Sequence, residues 1–303
     1  MNPVNNHPLY RKHDLDSAMA SMWQFYKSRF LALFLISLLM SIITQYASIL
    51  INLKEFMNLT NPEEILSLLK SKIVPVTGLI VLSLLFSVIL HYYILVKPLD
   101  DSSNILTCTW KSLRYFLPYL IIIILFSFVA SFILVIGIAA FIVGVIFAAL
   151  YLGMISFFIL PVMMAEGDNI GHVISRTVRL SHRNFWPNIG WSAVFFILYL
   201  VISIVLSGLV MLPFTGTFLK AITNPQEASS LMDIKVNPIM LFFSSLVNAL
   251  MMPLFPVFGF ILYFNGRARE DVVEPAGLED NSGRVRVEDL YAPPRRDEGS
   301  VEE

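Results

Sequence analysis

The chain has few charged residues and one cysteine, and both shortages narrow its class. Only 14% of its 303 residues are Asp, Glu, Lys or Arg, whereas a soluble domain carries roughly 25%. Hydrophobic residues make up 56% of the chain. Cys108 has no second cysteine to pair with, which excludes an intrachain disulfide and a cysteine metal cluster. The composition therefore predicts a membrane protein.

The sequence motifs of common enzyme classes are also missing. The chain contains no Walker loop, HExxH, GxSxG or CxxC, and its five histidines show no metal-ligand spacing. We therefore predict a protein that is not an enzyme. We also expect no cofactor, no metal and no nucleic-acid partner.

What the sequence does have is apolar runs long enough to span a bilayer. A transmembrane helix needs about 20 apolar residues, because each adds ~1.5 Å across a core of ~30 Å. The uncharged run from Tyr115 to Ala165 is too long for one span, so we place a turn near Gly137. The predicted spans are Phe30–Ile51, Ile73–Val96, Phe116–Ile136, Ala139–Met163, Ile189–Leu212 and Ile239–Tyr263. We predict an all-α polytopic membrane protein of six transmembrane helices.

The positions of lysine and arginine predict the orientation of these spans. Loops on the cytoplasmic side are enriched in both residues. With the N-terminus inside, every arginine of the chain lies on the inner side, and the outer loops hold only lysines. We therefore expect both termini in the cytoplasm.

The connection between the fourth and fifth spans carries a basic stripe. On a helical wheel one face is formed by Ile170, Ile174, Thr177, Val178 and Ser181. The other face is formed by His172, Arg176, Arg179 and Arg183. Such an amphipathic helix, with Asp168 as its predicted N-cap, lies at the membrane interface with its cations among anionic head groups. We interpret the four basic residues as contacts for anionic lipid or for a partner protein.

Shorter amphipathic stripes precede the first and third spans. Their apolar residues are Met19, Met22, Trp23 and Tyr26 in one, and Leu106, Thr109, Trp110 and Leu113 in the other. Ser112–Pro118 also matches Ser181–Pro187 at four positions. We predict three hairpins, each preceded by a short cytoplasmic interfacial helix, as a weak threefold repeat. The alternative is that any loop entering a membrane collects aromatic and basic residues.

The domain boundaries follow from these changes in composition. Residues 1–29 form a cytoplasmic N-terminus with an interfacial helix, and residues 30–264 form the six-helix transmembrane domain. Residues 265–303 are polar and acidic, and we expect a disordered cytoplasmic tail there.

Polar and proline residues within the spans leave two alternatives open. Gln45 and Asn248 lie deep in the predicted spans, where they line a polar path or hydrogen-bond between helices; packing is the simpler expectation. Pro253 and Pro256 should kink the last span. The kink either opens a cavity or fits the helix around a neighbour.

Several spaced residues resemble the pattern of one membrane family. They are Pro161, Glu166, Gly167, Arg176, Leu180 and Trp186, and then Arg267 and Arg269 near the end of the last span. This pattern resembles the glycerophosphoryl diester phosphodiesterase membrane domain family. The resemblance implies a stand-alone multi-pass protein of a bacterial inner membrane. The catalytic barrel fused to some relatives is absent from this sequence, since no soluble stretch approaches the ~250 residues of such a fold.

Three functional hypotheses follow. The first is a non-enzymatic membrane module that binds anionic lipid or a partner protein through its cytoplasmic helices. The second is the permease subunit of a transporter, because six spans with a cytoplasmic helix after the fourth are similar to an ATP-driven importer. The third is a membrane-embedded enzyme acting on lipids, for which the sequence offers no catalytic pair.

Overall fold

The computed structural model describes residues 3–51, 61–224, 234 and 237–279, with the backbone alone at 3, 218, 221–222 and 272–279. The helices are α1 Leu15–Ser28, α2 Phe30–Ser48, α3 Pro62–Val96, α4 Ile105–Ala139, α5 Phe141–Glu166, α6 Ile170–Arg183, α7 Phe185–Met211, α8 Thr215–Thr223, α9 Pro238–Met251 and α10 Leu254–Glu279. Six of the described helical segments are long and apolar enough to cross a membrane. The protein is therefore an all-α polytopic membrane protein, which confirms the predicted fold class.

Helix α1 begins at a reciprocal N-terminal cap. Asp14 Oδ1 accepts from the backbone N–H of Ser17 at 2.8 Å, and Ser17 Oγ accepts from the N–H of Asp14 at 2.9 Å. Trp23 is exposed, as expected at an interface, but Ser21, which is not part of the predicted apolar stripe, is buried. The reason is that α1 packs one edge against α10 instead of lying free on the membrane.

The predicted interfacial helix before the third span is not a separate element. Helix α4 is continuous from Ile105 to Ala139 and contains Pro118. The chain leaves helical geometry between α1 and α2 at Arg29, and between α6 and α7 at Asn184. No comparable break separates Trp110 from the span, so this stripe is the first part of a long membrane helix.

The turn between α4 and α5 is tight, and it lies close to the predicted position at Gly137. A Cβ added at Gly137 would lie 2.9 Å from the carbonyl oxygen of Gly144, so the two helices approach closely only because both residues lack a side chain. Phe141 starts α5 with a positive φ of 58°. That left-handed geometry is unfavourable for an aromatic residue.

Helix α10 forms the centre of the bundle. It packs against α1, α3, α5 and α6, and Val257, Phe258, Phe260 and Ile261 are fully buried. The helix is separated from α9 by a break at Met252 and Pro253, which confirms the kink predicted from proline. Proline has no N–H to continue the helical hydrogen bonds.

Both terminal segments lie on the same end of the bundle, which we call the terminal face. The backbone N–H of His13 donates to Asn265 Oδ1 at 2.9 Å, and Arg269 Nη2 donates to the carbonyl of His13 at 3.0 Å. These contacts help to explain why α10 continues to Glu279, whereas the predicted tail began at residue 265. The remainder of that predicted tail, residues 280–303, lies outside the described residues.

Burial is concentrated in the half of the bundle next to the terminal face. All buried residues of α3 lie between Val88 and Leu95. Those of α2 lie between Leu33 and Ser41. Toward the other end, which we call the opposite face, the helices present exposed apolar side chains.

Candidate functional site

An ion-pair network on the terminal face joins α5, α6 and α10. Arg176 Nε donates to Glu166 Oε2 at 2.9 Å, and Arg176 Nη1 donates to Glu270 Oε1 at 2.9 Å. A second terminal nitrogen of Arg176 bonds the other oxygen of Glu270. Arg183 Nη1 also lies 2.9 Å from Glu270 Oε1, and Arg267 Nε lies 3.6 Å from Glu166 Oε1. Three arginines thus neutralise two carboxylates.

The centre of this network is shielded from solvent. The side chains of Arg176 and Glu270 are each 11% exposed, and that of Glu166 is 13% exposed. Burial alone would lower the pKa of Arg176, but the hydrogen bonds and charges of Glu270 and Glu166 raise it above its ordinary value. Tyr263 donates its hydroxyl proton to Glu166 Oε1 at 3.0 Å. The network therefore keeps its charges and its geometry.

The chain between α5 and α6 places Glu166 and Arg176 side by side. Gly167 ends α5 with φ of 118°, a conformation that residues with a side chain rarely adopt. The next helix is capped by Asn169, whose Oδ1 accepts from the backbone N–H of His172 at 3.0 Å. The predicted N-cap, Asp168, instead lies 3.4 Å from Arg114, so that prediction was wrong by one residue.

The structure divides the predicted basic stripe into two sets. Arg176 and Arg183 are bonded to Glu270, and they tie α6 to α10. His172 is half-exposed and lies 3.4 Å from Glu166. Arg179 is exposed and makes no ion pair within the described residues. Of the three arginines in the stripe, Arg179 is thus the one that the network leaves available.

The family-like residues fall into three places. Glu166, Arg176 and Arg267 meet in the network, next to the positive-φ residue Gly167. Pro161 and Leu180 are buried on α5 and α6, beside α10. Trp186 is exposed, and Arg269 bonds Asn265 and His13 as described above. The spacing of the pattern is therefore explained mainly by the contact of α5 and α6 with α10.

Glu270 is the residue whose role sequence analysis missed. It bonds Arg176 across 94 positions of sequence, and no local pattern predicts such a pair. The sequence contains one signal for this role: Glu270 lies about two helical turns after the aromatic pair Tyr263 and Phe264.

The network borders an open cleft of about 850 Å³, which Arg179 and His182 also line. Both carboxylates of the network are bonded to arginine, so neither is free to act as an acid or base. Within the described residues, no group of His, Cys, Asp and Glu could hold a metal ion. The ion pairs beside the cleft hold α5, α6 and α10 together. Arg179 in the cleft wall can attract an anion.

An apolar groove of about 270 Å³ lies between α4, α5 and α6. Its walls include Leu125 and Val129 of α4, Ile155 of α5, and Ile174 and Val178 of α6. Val129 is 53% and Val178 46% exposed, so the groove opens sideways from the bundle. At the end nearest the terminal face, the groove is bordered by α6, the helix that carries the basic stripe.

The side-chain amides of Gln45 and Asn248 do not make the predicted hydrogen bonds between helices within the described residues. Gln45 and Asn248 form no side-chain hydrogen bond within the described part of the chain, and both line a polar cavity among α2, α3, α7, α9 and α10. The kink at Pro253 and Pro256 lies beside this cavity, since Pro256 is in its wall.

Comparison with known proteins identified no relative of this chain. No family model matches the chain, and no curated protein or solved structure matches it. The functional argument therefore rests on the geometry of the chain itself.

Proposed function

We propose that this protein is a non-enzymatic membrane module that holds an anionic phospholipid at its terminal face. The supporting observation is that the apolar groove is bordered by the amphipathic helix α6, whose exposed Arg179 makes no ion pair within the described residues. We infer from the distribution of arginine that the terminal face is cytoplasmic. The resemblance stated above favours a bacterial inner membrane.

The groove suits an acyl chain. Its walls belong to α4 and α5, which are long enough to span the membrane. An open apolar groove at this depth is filled by lipid tails, because they are the solvent of the hydrocarbon region. Thr177 lines the groove, and its buried hydroxyl has no partner. The ester oxygen of a lipid is a suitable acceptor for that hydroxyl.

The head group is assigned to Arg179. This residue lies on the exposed face of α6, next in sequence to Val178 of the groove, and it lines the cleft on the terminal face. A long arginine side chain on an interfacial helix extends toward the head groups, where its cation meets phosphate. Each basic residue near an anionic leaflet contributes on the order of 1 kcal/mol. Arg176 and Arg183 are left out of this role, because Glu270 already binds both.

The other hypotheses have less support. A partner protein on α6 would use the same exposed residues, and the experiment below distinguishes it from lipid. An enzyme acting on lipids would need a free acid or base, whereas both carboxylates of the network are bonded to arginine. A permease subunit is favoured by the polar cavity alone.

The test is native mass spectrometry of the purified protein in mixed anionic and neutral phospholipid. Arg179→Gln should lower retention of anionic lipid roughly fivefold, which corresponds to about 1 kcal/mol, and should leave neutral lipid unchanged. Ile174→Trp fills the groove at its edge and should lower retention of both lipids. Lys12→Gln and Ile197→Trp are the matched controls, since both residues are exposed away from the groove.

Unchanged lipid retention in both Arg179→Gln and Ile174→Trp would contradict the proposal. If Arg179→Gln kept its lipid and lost a co-purifying protein, the exposed face of α6 would be a docking surface for that protein. Neither variant removes a residue of the ion-pair network, so loss of the fold does not explain a positive result.

A further inference from the structure

The protein contains a cavity within its membrane-spanning helices whose mostly apolar wall carries several polar side chains. The cavity of about 340 Å³ is lined by polar groups of α2 and α3, by Tyr199 of α7, and by Asn248 beside the proline break. The lining residues used below are Ser41, Gln45, Ser87, His91, Tyr199 and Asn248. A second chamber of about 360 Å³ shares Gln45 and Asn248 with it.

Several hydrogen-bonding groups of this cavity have no partner within the part of the chain that the structure describes. Ser41 is 5% exposed, and its hydroxyl makes no hydrogen bond. The amides of Gln45 and Asn248 and the hydroxyl of Tyr199 also make none within the described residues. Polar groups at membrane depth must be satisfied, because hydrocarbon offers no donor or acceptor. The cavity is therefore built to receive a molecule that forms hydrogen bonds.

His91 adds an acceptor at the inner end of the cavity. Its Nδ1 lies 2.8 Å from the carbonyl oxygen of Ser87. Because a carbonyl oxygen only accepts, Nδ1 carries the proton, and Nε2 of the neutral ring is left as an acceptor. No described residue donates a hydrogen bond to Nε2 of His91.

The lining selects against charge and favours a small solute over lipid. No Asp, Glu, Lys or Arg lines either chamber, so an ion would lose its hydration without a partner. Aromatic walls are supplied by Phe86, Phe255 and Tyr199. Apolar and aromatic walls with a few convergent polar groups are typical of small-molecule sites.

The second chamber lies on the side of the cavity toward the opposite face. Its wall includes Met211, the last residue of α7, and Met240, near the start of α9. The shared amides of Gln45 and Asn248 separate the two chambers, so an entry route from the helix ends would pass them. The route is independent of the groove and of the ion-pair network.

We propose that the cavity is a binding site for an uncharged solute of low molecular mass with several hydroxyl groups, entering from the opposite face. Such a molecule both donates and accepts, as the unpaired hydroxyl, amide and imidazole groups require. Its hydroxyls supply hydrogen-bond partners for Gln45, His91 and Asn248. Its carbon skeleton lies against the aromatic walls.

The test uses the full chain in lipid nanodiscs, with Cys108→Ala as background and Ser87→Cys as a reporter in the cavity. Iodoacetamide, a small neutral reagent, should alkylate this cysteine roughly tenfold faster than Ser131→Cys on the exposed side of α4, because the reactive thiolate forms only where water reaches. Sorbitol should then slow alkylation of Ser87→Cys. Dextran at matched viscosity cannot enter and should have no effect.

Asn248→Leu in the same background removes one shared amide at an exposed position. It should abolish protection by sorbitol while alkylation continues. The proposal is overturned if Ser87→Cys reacts no faster than Ser131→Cys, since the cavity is then dry. It is equally overturned if alkylation is fast but glycerol, xylitol and sorbitol all fail to protect, since the cavity then holds water alone.

Discussion

The two halves of the bundle differ in how closely their helices pack. In α3, all buried residues lie between Val88 and Leu95, next to the terminal face, and none lies between Pro62 and Ser87, toward the opposite face. The terminal half contains the central helix α10, the ion-pair network and the bonds of the N-terminal segment. The opposite half contains ends of α3, α4 and α7, which present exposed apolar side chains. The comparison indicates that stability comes mainly from the terminal half.

The largest effect is expected from breaking the ion-pair network. Glu270→Gln leaves the buried cation of Arg176 with one carboxylate instead of two and leaves Arg183 unpaired. We expect a loss of about 3 to 5 kcal/mol in the free energy of unfolding, the range for a buried pair that loses one partner. Denaturant unfolding in detergent measures it. Glu64→Gln, the same change on an exposed helix start of the opposite half, should cost less than about 1 kcal/mol.

The second-largest effect is a pH dependence of the free energy of unfolding, which we expect from His7. This side chain is 3% exposed, and it packs against Phe25 and Phe264. Burial lowers its pKa to about 4, with a further lowering by Arg29, although a hydrogen bond to the carbonyl of Ile94 opposes the change. The unfolded chain therefore binds the proton more readily, and the stability that neutral His7 contributes is lost as pH falls from 6.5 toward 4.

Between pH 7 and pH 5 the loss should be about 2 kcal/mol. His7→Gln should remove that part of the pH dependence, and thermal unfolding at both pH values measures the difference. Since His13 also has a lowered pKa from burial, a smaller dependence of the same sign should remain. An equal dependence in the two proteins would show that His7 is not buried as described.

A third effect compares two glycines, one in each half. A Cβ added at Gly259 of α10 would lie 2.8 Å from the carbonyl oxygen of Phe157, whereas at Gly208 of α7 it would meet nothing within 4 Å. Gly259→Ala should therefore lower the free energy of unfolding by about 1 to 2 kcal/mol through overpacking. Gly208→Ala should raise it by roughly 0.5 kcal/mol through helix propensity. A destabilisation by both would mean that the halves are packed alike.

The smallest effect is expected at the strained turn of the opposite half. Phe141 is 83% exposed and has φ of 58°, so its side chain contributes little packing. Phe141→Gly should raise the free energy of unfolding by about 1 kcal/mol, because glycine adopts this geometry without a steric cost. Phe132→Gly, within the same hairpin but in regular helix, should lower it by about 1 kcal/mol. Chemical denaturation of both variants checks the sign.

The sequence predicts those features that are local. Six spans follow from apolar run lengths, the break before α10 follows from Pro253, and α6 follows from its amphipathic periodicity. The continuous helix α4 was missed because an amphipathic stripe looks the same whether or not the helix ends beside it. Only Arg29 and Asn184 interrupt the other two helices.

The candidate site depends on contacts that no local pattern contains. Arg176 belongs to a basic face by its spacing, and the sequence alone assigns it, together with Arg179, to contacts with anionic lipid or a partner protein. In the structure it lies between Glu166 and Glu270, which come from different helices. The periodicity identifies a charged face, and tertiary packing decides which of its charges are neutralised. The same holds for Gln45 and Asn248, whose missing partners are visible only in three dimensions.

The difference in packing between the halves is tested most directly by distances between spin labels. One pair, Gln24→Cys and Ser175→Cys, joins α1 and α6 at the terminal face, and the other, Leu66→Cys and Ile239→Cys, joins α3 and α9 at the opposite face. All four positions are exposed, and Cys108→Ala removes the native thiol. Pulsed electron paramagnetic resonance in nanodiscs should give a narrow distance distribution for the first pair and a distinctly broader one for the second, because thin packing permits more conformations. Equal widths, or a broader distribution at the terminal face, would contradict the account.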